Sequence, residues 1–273
     1  MPKEYCVIGY PIAHSLSPAI HNALYREYGL DCRYSSYPVT SENLPDFISQ
    51  ISQRRIHGFN VTMPLKKEII PYLKTIAPNA QSGVNTVVAA GDGLHGYSTD
   101  AQGFSASLHS IGTGYQNKNI VFIGAGAVTQ ALCKDAAQTN AKHIVVLNRT
   151  IPKAQAIAKS CNGDADSLAH IDRYMEKCNL LVNTTPLGMT GNAHDFENLG
   201  FLDLLPPDAV VCDLIYSPAR TAFLKYASAR GLAVQNGLGM LIWQAFFAFE
   251  KFCGILPTES DYLKILNRLD QAR

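Results

Sequence analysis

Along the first hundred residues, short apolar runs alternate with stretches of helical periodicity. YCVIG (5–9) predicts a strand, Ser17-Pro18 predicts the start of a helix running to Gly29, RYSSYPV (33–39) predicts a second strand, and a polar helix follows from about Ser41. Ser17 suits an N-cap because its hydroxyl can accept a free N–H of the first turn, and proline at the first helical position forfeits no hydrogen bond. GFNVT (58–62) predicts a third strand, Pro64 the opening of a helix that carries Lys66 and Lys67, and residues 84–89 a fourth strand ending at Asp92-Gly93. This βαβα order predicts an α/β fold.

The pattern restarts at Lys118. NIVFIGAG is an apolar strand broken by glycines, a helix is expected from Val128 to about Thr139, and HIVVLNRT (143–150) completes a βαβ unit. LLVNTTP (180–186), AVVCDLIY (209–216) and LAVQN (232–236) continue the series. Runs that are apolar throughout belong to strands covered on both faces, so this half predicts a Rossmann-type doubly wound parallel sheet. The tail from Leu238 is helical, and Gln244, Glu250 and Lys251 interrupt it often enough to predict a core-facing helix and not a membrane span. The expected division is an N-terminal α/β substrate domain over 1–103, completed by C-terminal helices of 237–273 packing back on it, and a dinucleotide-binding domain over 104–236, with a cleft between them.

Composition narrows the partners. The chain has 273 residues, 47% hydrophobic and 16% charged, with a net charge of +1. Without a basic block or a Lys/Arg stripe there is no electrostatic footprint for nucleic acid or for an anionic membrane, so the expected partner is a small molecule. The opening MPKEYCVIGYPIAHS turns into a Gly/Pro/His loop before an apolar signal core builds up, which predicts a cytoplasmic protein. Seven scattered cysteines with no CxxC pair predict reduced thiols and no metal site. Monomer and homodimer both remain open.

Gly124-Ala125-Gly126-Ala127-Val128-Thr129 follows a strand and opens a helix, the context in which a glycine pattern indicates a dinucleotide site. Gly124 allows the tight turn and Gly126 lets backbone approach a pyrophosphate. Thr129 stands where Gly or Ala is usual and predicts slightly looser packing of helix on strand. The second strand ends Asn148-Arg149-Thr150 with Lys153 close behind, and no carboxylate is present to hold a ribose hydroxyl. A guanidinium and an ammonium suit a 2′-phosphate, so NADP is expected over NAD.

Polar pairs mark the first domain: Ser15 with Ser17, Asn60 with Thr62, Asn85 with Thr86, and Thr99 with Asp100. Two-residue spacing at a strand end puts both side chains on one face, where they can meet a polyhydroxylated ligand. Taken singly, each has a structural reading: Ser17 as a helix cap, Asn60 as a turn residue, Asn85 as a strand terminator.

Their order decides, because the series resembles the shikimate dehydrogenase family. The motifs are Gly9-Tyr10-Pro11 through His14-Ser15-Leu16-Ser17-Pro18 to His21-Asn22, then Asn60 to Lys66, Val84-Asn85-Thr86, and Thr99-Asp100 with Gly103-Phe104. Gly124 to Gly126, Asn148 to Thr150, Asn183 to Met189, Asp213 with Tyr216-Ser217-Pro218, and Gly237 to Gln244 follow. The resemblance implies NADP-dependent interconversion of 3-dehydroshikimate and shikimate, with Lys66 and Asp100 as catalytic pair and their division of labour open. It implies that Ser15 and Ser17 bind the substrate carboxylate with Tyr216 nearby, and that Asn60, Thr62, Asn85 and Gln244 hold ring hydroxyls. Thr184 joins the cofactor set, and Met189, Gly237 and Met240 line the nicotinamide pocket, although methionine also suits core packing.

Three positions depart from the family pattern. Ser98 stands where Asn is usual, Ser82-Gly83 where Gly-Ala is usual, and Ala127 where a further glycine is usual. The first two adjoin substrate residues and leave room for quinate as a second substrate. A non-catalytic metabolite-binding relative is the alternative of another class, disfavoured by the presence of both Lys66 and Asp100. A folate-type dehydrogenase has no need of the paired serines.

Overall fold

A computed structural model of the chain describes residues 1–271, which fall into two compact units. Met1–Gly103 and the stretch from Leu241 onward form one, and Phe104–Met240 the other.

The first unit is built on β1 (Lys3–Gly9), α1 (Ser17–Glu27), β2 (Cys32–Pro38), α2 (Leu44–Ser49), β3 (Ile56–Val61), β4 (Thr75–Ile76), β5 (Thr86–Ala90), β6 (Gly93–Tyr97) and the start of α3 (Asp100–His109). Its sheet runs in the order β2-β1-β3-β5-β6-β4. The β1 pairings to β2 and β3 are parallel, whereas β5 is antiparallel to both β3 and β6. Alternation along β1 serves two layers: Cys6 and Ile8 join Phe47, Phe59, Leu65 and Val84 in one core, while Tyr5 faces Tyr25 and Phe252 in an aromatic layer.

Two local expectations need correcting. Residues 63–69 form successive turns, not a helix. The Lys66 carbonyl is taken by the Val84 N–H at 2.8 Å, which removes the acceptor that a helical residue 70 would need. Ser17 is not the cap of α1 either: the cap position is Leu16, and Ser15 Oγ accepts the Ser17 N–H at 3.3 Å. The strand expected over 84–89 runs over Thr86–Ala90, and the turn at Gly91-Asp92 sends the chain back antiparallel as β6.

The second unit contains the rest of α3, then β7 (Asn119–Ile123), α4 (Ala127–Gln138), β8 (His143–Asn148), α5 (Ile151–Lys159), β9 (Asp164–Ser167), α6 (Asp172–Met175), β10 (Leu180–Asn183), β11 (Val210–Asp213), α7 (Ala222–Ala229) and β12 (Ala233–Gln235). All its strands are parallel, in the order β12-β11-β10-β7-β8-β9. This is the doubly wound order, which reverses direction between β7 and β10 and puts the loops after those two strands on either side of the switch point. The polar strand β9, Asp-Ala-Asp-Ser, carries no apolar run and was not expected; it is an edge strand held by register to β8.

The chain closes with α8 (Leu238–Cys253) and α9 (Glu259–Gln271). In the first unit α8 brings Phe249 and Phe252 onto the aromatic layer. Among the described residues no helix is long and apolar enough to cross a membrane, and no group of side chains could hold a metal ion.

Candidate active site

Sheet topology gathers the polar residues of the first unit at one edge. β1 and β3 are parallel neighbours with Ile8 opposite Val61, so the loops carrying Ser15-Ser17 and Thr62-Lys66 leave from the same end. β5 begins there, with Thr86 opposite both Asn60 and Tyr97, and the chain leaves β6 at that end for Thr99 and Asp100.

Lys66 and Asp100 meet as expected from their motifs. Lys66 Nζ donates to Asp100 Oδ2 at 2.6 Å, with the two side chains 17% and 10% exposed. The other carboxylate oxygen accepts Asn85 Nδ2 at 2.9 Å. That amide also contacts Thr99 Oγ1 at 2.9 Å and Gln244 Oε1 at 3.3 Å, while Asn85 Oδ1 accepts the Thr99 N–H at 2.9 Å. Gln244 reaches this group because α8 packs flush on α3 at Gly103, where a Cβ would overlap the Gln244 backbone. The carboxylate is therefore held on both oxygens, and the lysine keeps further N–H donors.

Asn60 is tied to its neighbours on both sides of its amide. It is 6% exposed, its oxygen accepts Tyr34 Oη at 2.6 Å, and its amide donates to the Asn85 carbonyl and to Thr86 Oγ1, each at 3.0 Å. Both donors and the oxygen of Asn60 are engaged within the protein, as are those of Asn85. Thr62 and Gln244 are half-buried at the edge, and the buried Ser17 hydroxyl lies at the N-terminus of α1.

In the second unit Gly124 has φ +113°, a backbone conformation open mainly to glycine, and a Cβ there would strike Thr184 Oγ1 and Thr185 Cγ2. A Cβ on Gly126 would instead point into open space. Thr129 overturns the expectation of looser packing: it is fully buried, accepts the Gly126 N–H at 3.2 Å and pairs with Thr184 Oγ1 at 2.7 Å. Thr184 in turn donates to the Ile123 carbonyl at 2.8 Å, so hydroxyls tie the glycine loop to the loop after β10. Asn148 Nδ2 donates to the Thr150 carbonyl at 3.0 Å. Arg149 and Lys153 are exposed and form no ion pair among the described residues.

The loops after β10 and β11 are joined by Asp213, which accepts Asn183 Nδ2, the Ile215 N–H and Thr221 Oγ1 at 3.0, 3.1 and 2.7 Å. Burial pushes the Asp213 carboxyl up to about 6 against those bonds. Tyr216 is half-buried and Met189 exposed on these loops. Gly237 lies flush on the Leu214 backbone, and Met240 is half-buried in the first turn of α8. Among the support residues, Thr129, Asn183 and Asp213 stand in the sequence motifs without a supporting role assigned to them, and Tyr34 is not singled out at all. The available signal was a polar residue inside an apolar strand, as in LLVN and VVCD.

Comparison with known proteins agrees over both units. A family model described as the shikimate dehydrogenase substrate binding domain matches residues 7–87, and one described as shikimate / quinate 5-dehydrogenase matches residues 107–188. The chain is 37% identical over 271 residues to the shikimate dehydrogenase (NADP(+)) of Alkaliphilus oremlandii, covering 94% of this chain and 93% of that protein. It is 37% identical over 264 residues to that of Methanocaldococcus jannaschii, covering 93% of each. The crystal structure of shikimate 5-dehydrogenase from Thermus thermophilus in complex with NADP(H) and shikimate is 33% identical with a TM-score of 0.85, covering 98% of this chain and 99% of the other.

Proposed function

The chain belongs to the shikimate dehydrogenase family, and from that premise we propose that it interconverts 3-dehydroshikimate and shikimate with NADP(H) as redox partner. The observation that carries the reading is the Lys66–Asp100 pair at 2.6 Å, set at a sheet edge among hydroxyl and amide side chains. When bound, NADPH supplies the hydride that reduces the ring ketone. The residues of the chain have to bind the acid, hold its carbonyl and manage one proton.

Lys66 is the proton carrier in this reading. Both Asp100 oxygens are occupied, by Lys66 and by Asn85, whereas the ammonium has donors beyond the one given to Asp100. In reduction Lys66 releases a proton to the substrate oxygen as the carbonyl becomes a hydroxyl; in oxidation it takes that proton back. Asp100 fixes the direction of the Lys66 side chain. The acid's carboxylate is assigned to Ser15 and Ser17, where hydroxyl donors coincide with the positive end of the α1 dipole. Asn60, Thr62, Asn85 and Gln244 are assigned to the ring hydroxyls.

The second unit suits the dinucleotide. The first-turn N–H groups of α4 are free of intrahelical partners, and the open space before Gly126 admits a pyrophosphate to backbone distance. Asn148, Arg149, Thr150 and Lys153 supply donors for the 2′-phosphate.

The test measures reduction of NADP and of NAD by the purified protein with shikimate and, separately, with quinate. Shikimate-dependent NADPH absorbance exceeding all other combinations is the expected result. Turnover with quinate alone would replace shikimate by quinate in this reading, a substitution that Ser82 and Ser98 beside the site make worth testing.

A further inference from the structure

Behind Asp100 the buried polar atoms form a chain of side-chain hydrogen bonds with a single direction. Tyr34 Oη donates to Asn60 Oδ1 at 2.6 Å, Asn60 Nδ2 to Thr86 Oγ1 at 3.0 Å, Thr86 Oγ1 to Asn85 Oδ1 at 2.9 Å, and Asn85 Nδ2 to Asp100 Oδ1 at 2.9 Å. Tyr34 is 2% exposed and Thr86 fully buried, so no water competes for these bonds. Backbone groups read the same polarity at two points: the Asn85 carbonyl accepts from Asn60, and the Thr99 N–H donates to Asn85.

Tyr34 is itself held on three sides. Asn22 Oδ1 accepts its N–H at 2.9 Å, Asn22 Nδ2 donates to its carbonyl at 2.8 Å, and the His21 ring stacks on its ring at 4.2 Å with 1° between planes. Among the described residues the His21-Asn22 pair that sequence motifs single out forms no hydrogen bond with Lys66 or Asp100. It clamps the residue that starts the chain.

We propose that Tyr34 is a positioning residue of the Lys66–Asp100 site, acting through Asn60 and Thr86 on the amide of Asn85, which among the described residues alone engages the Asp100 oxygen that Lys66 does not hold. The inference rests on the reading of Lys66 and Asp100 as the catalytic pair. Removing the phenolic hydroxyl leaves Asn60 Oδ1 without its donor in a dry site, and the two amides and the hydroxyl between them must shift to satisfy it. The carboxylate then loses its fixed angle to Lys66.

The experiment compares wild type, Tyr34→Phe, Thr86→Val and Thr86→Ser as full-length proteins. Tyr34→Phe keeps the ring on His21, and Thr86→Ser keeps the relaying hydroxyl. Tyr34→Phe and Thr86→Val are expected to lower kcat about five- to tenfold with KM within about twofold, since small misplacement near reacting atoms costs rate before binding. The acidic limb of the kcat/KM pH profile should move in both, the Asn85 side-chain amide resonances, assigned through Asn85→Asp, should shift in both, and Thr86→Ser should recover most of the rate. If Tyr34→Phe fails to fold, the Thr86 pair reads the same chain. Unmoved Asn85 resonances or an unmoved pH profile in folded variants, or equal losses in Thr86→Val and Thr86→Ser, would overturn the inference. The resonances need no substrate, so inactivity of the wild type on shikimate sinks the proposed activity without touching this result.

Discussion

At the edge of the first sheet each side-chain polar atom of Asn85, Thr99 and Asp100 is engaged by a neighbour in the protein, whereas at the edge of the second Arg149 and Lys153 stand exposed with no ion pair among the described residues. The first arrangement is preorganised: its geometry exists before any ligand arrives, and buried bonds fix it. The second keeps its glycine loop rigid through Thr129 and Thr184 and leaves its cations free to meet a phosphate. Chemistry demands fixed angles, while a phosphate, charged and many-sided, demands only charge and donors within reach.

Substitutions should therefore fall on different kinetic constants in the two places. Lys66→Ala and Asp100→Asn are expected to cut kcat by about 10²–10⁴-fold with a much smaller change in KM for shikimate, because each removes proton transfer or its orientation. Steady-state kinetics check this, and a rise in KM with kcat unchanged would break the comparison. Arg149→Ala is expected to raise KM for NADP by about ten- to a hundredfold, the worth of a charge-assisted bond, and to leave KM for NAD nearly unchanged. An equal effect on both cofactors would remove Arg149 from the 2′-phosphate.

The same contrast extends to buried titratable groups. Neither His21 ring nitrogen has a hydrogen-bond partner among the described residues, and burial lowers its pKa to about 3. Its folded pKa lies below the unfolded value, so the stability it contributes is present above about pH 6.5 and is lost as pH falls toward 3, at about 1.4 kcal/mol per unit. Chemical denaturation of His21→Phe at pH 7 and pH 4.5 should show about 2–3 kcal/mol less acid loss than wild type. Asp213, in the second unit, is raised to about 6 with three bonds to it. Its sign is opposite: the folded form binds the extra proton, so its contribution is full below about pH 4 and is lost as pH rises to 6. Asp213→Asn should flatten that decline by about 2 kcal/mol between pH 4.5 and 7 in the same measurement. Equal pH slopes in wild type and variant would mean that burial does not govern these groups.

Periodicity and motif order carried the second sheet almost whole. NIVFI, HIVVLN, LLVN and VVCD are apolar but for polar residues at their ends because both faces of a parallel strand are covered, and that pattern is local to each run. Lys66 and Asp100, whose side chains meet, could be singled out for a similar reason, since each sits in a short motif that can be read without knowing its neighbours. What tertiary structure alone decided is which partner each polar group takes. The Lys66 carbonyl goes to Val84, 18 residues away, so Pro64 opens turns and not a helix. Asn60 turns inward to Tyr34 and Thr86 because β2 and β5 bring them there, and Thr129 finds Thr184 only once β7 and β10 lie side by side. A hydrogen-bonding side chain announces its capacity in the sequence, but which partner satisfies it depends on contacts between residues far apart in the chain, and those exist only after the sheets have formed.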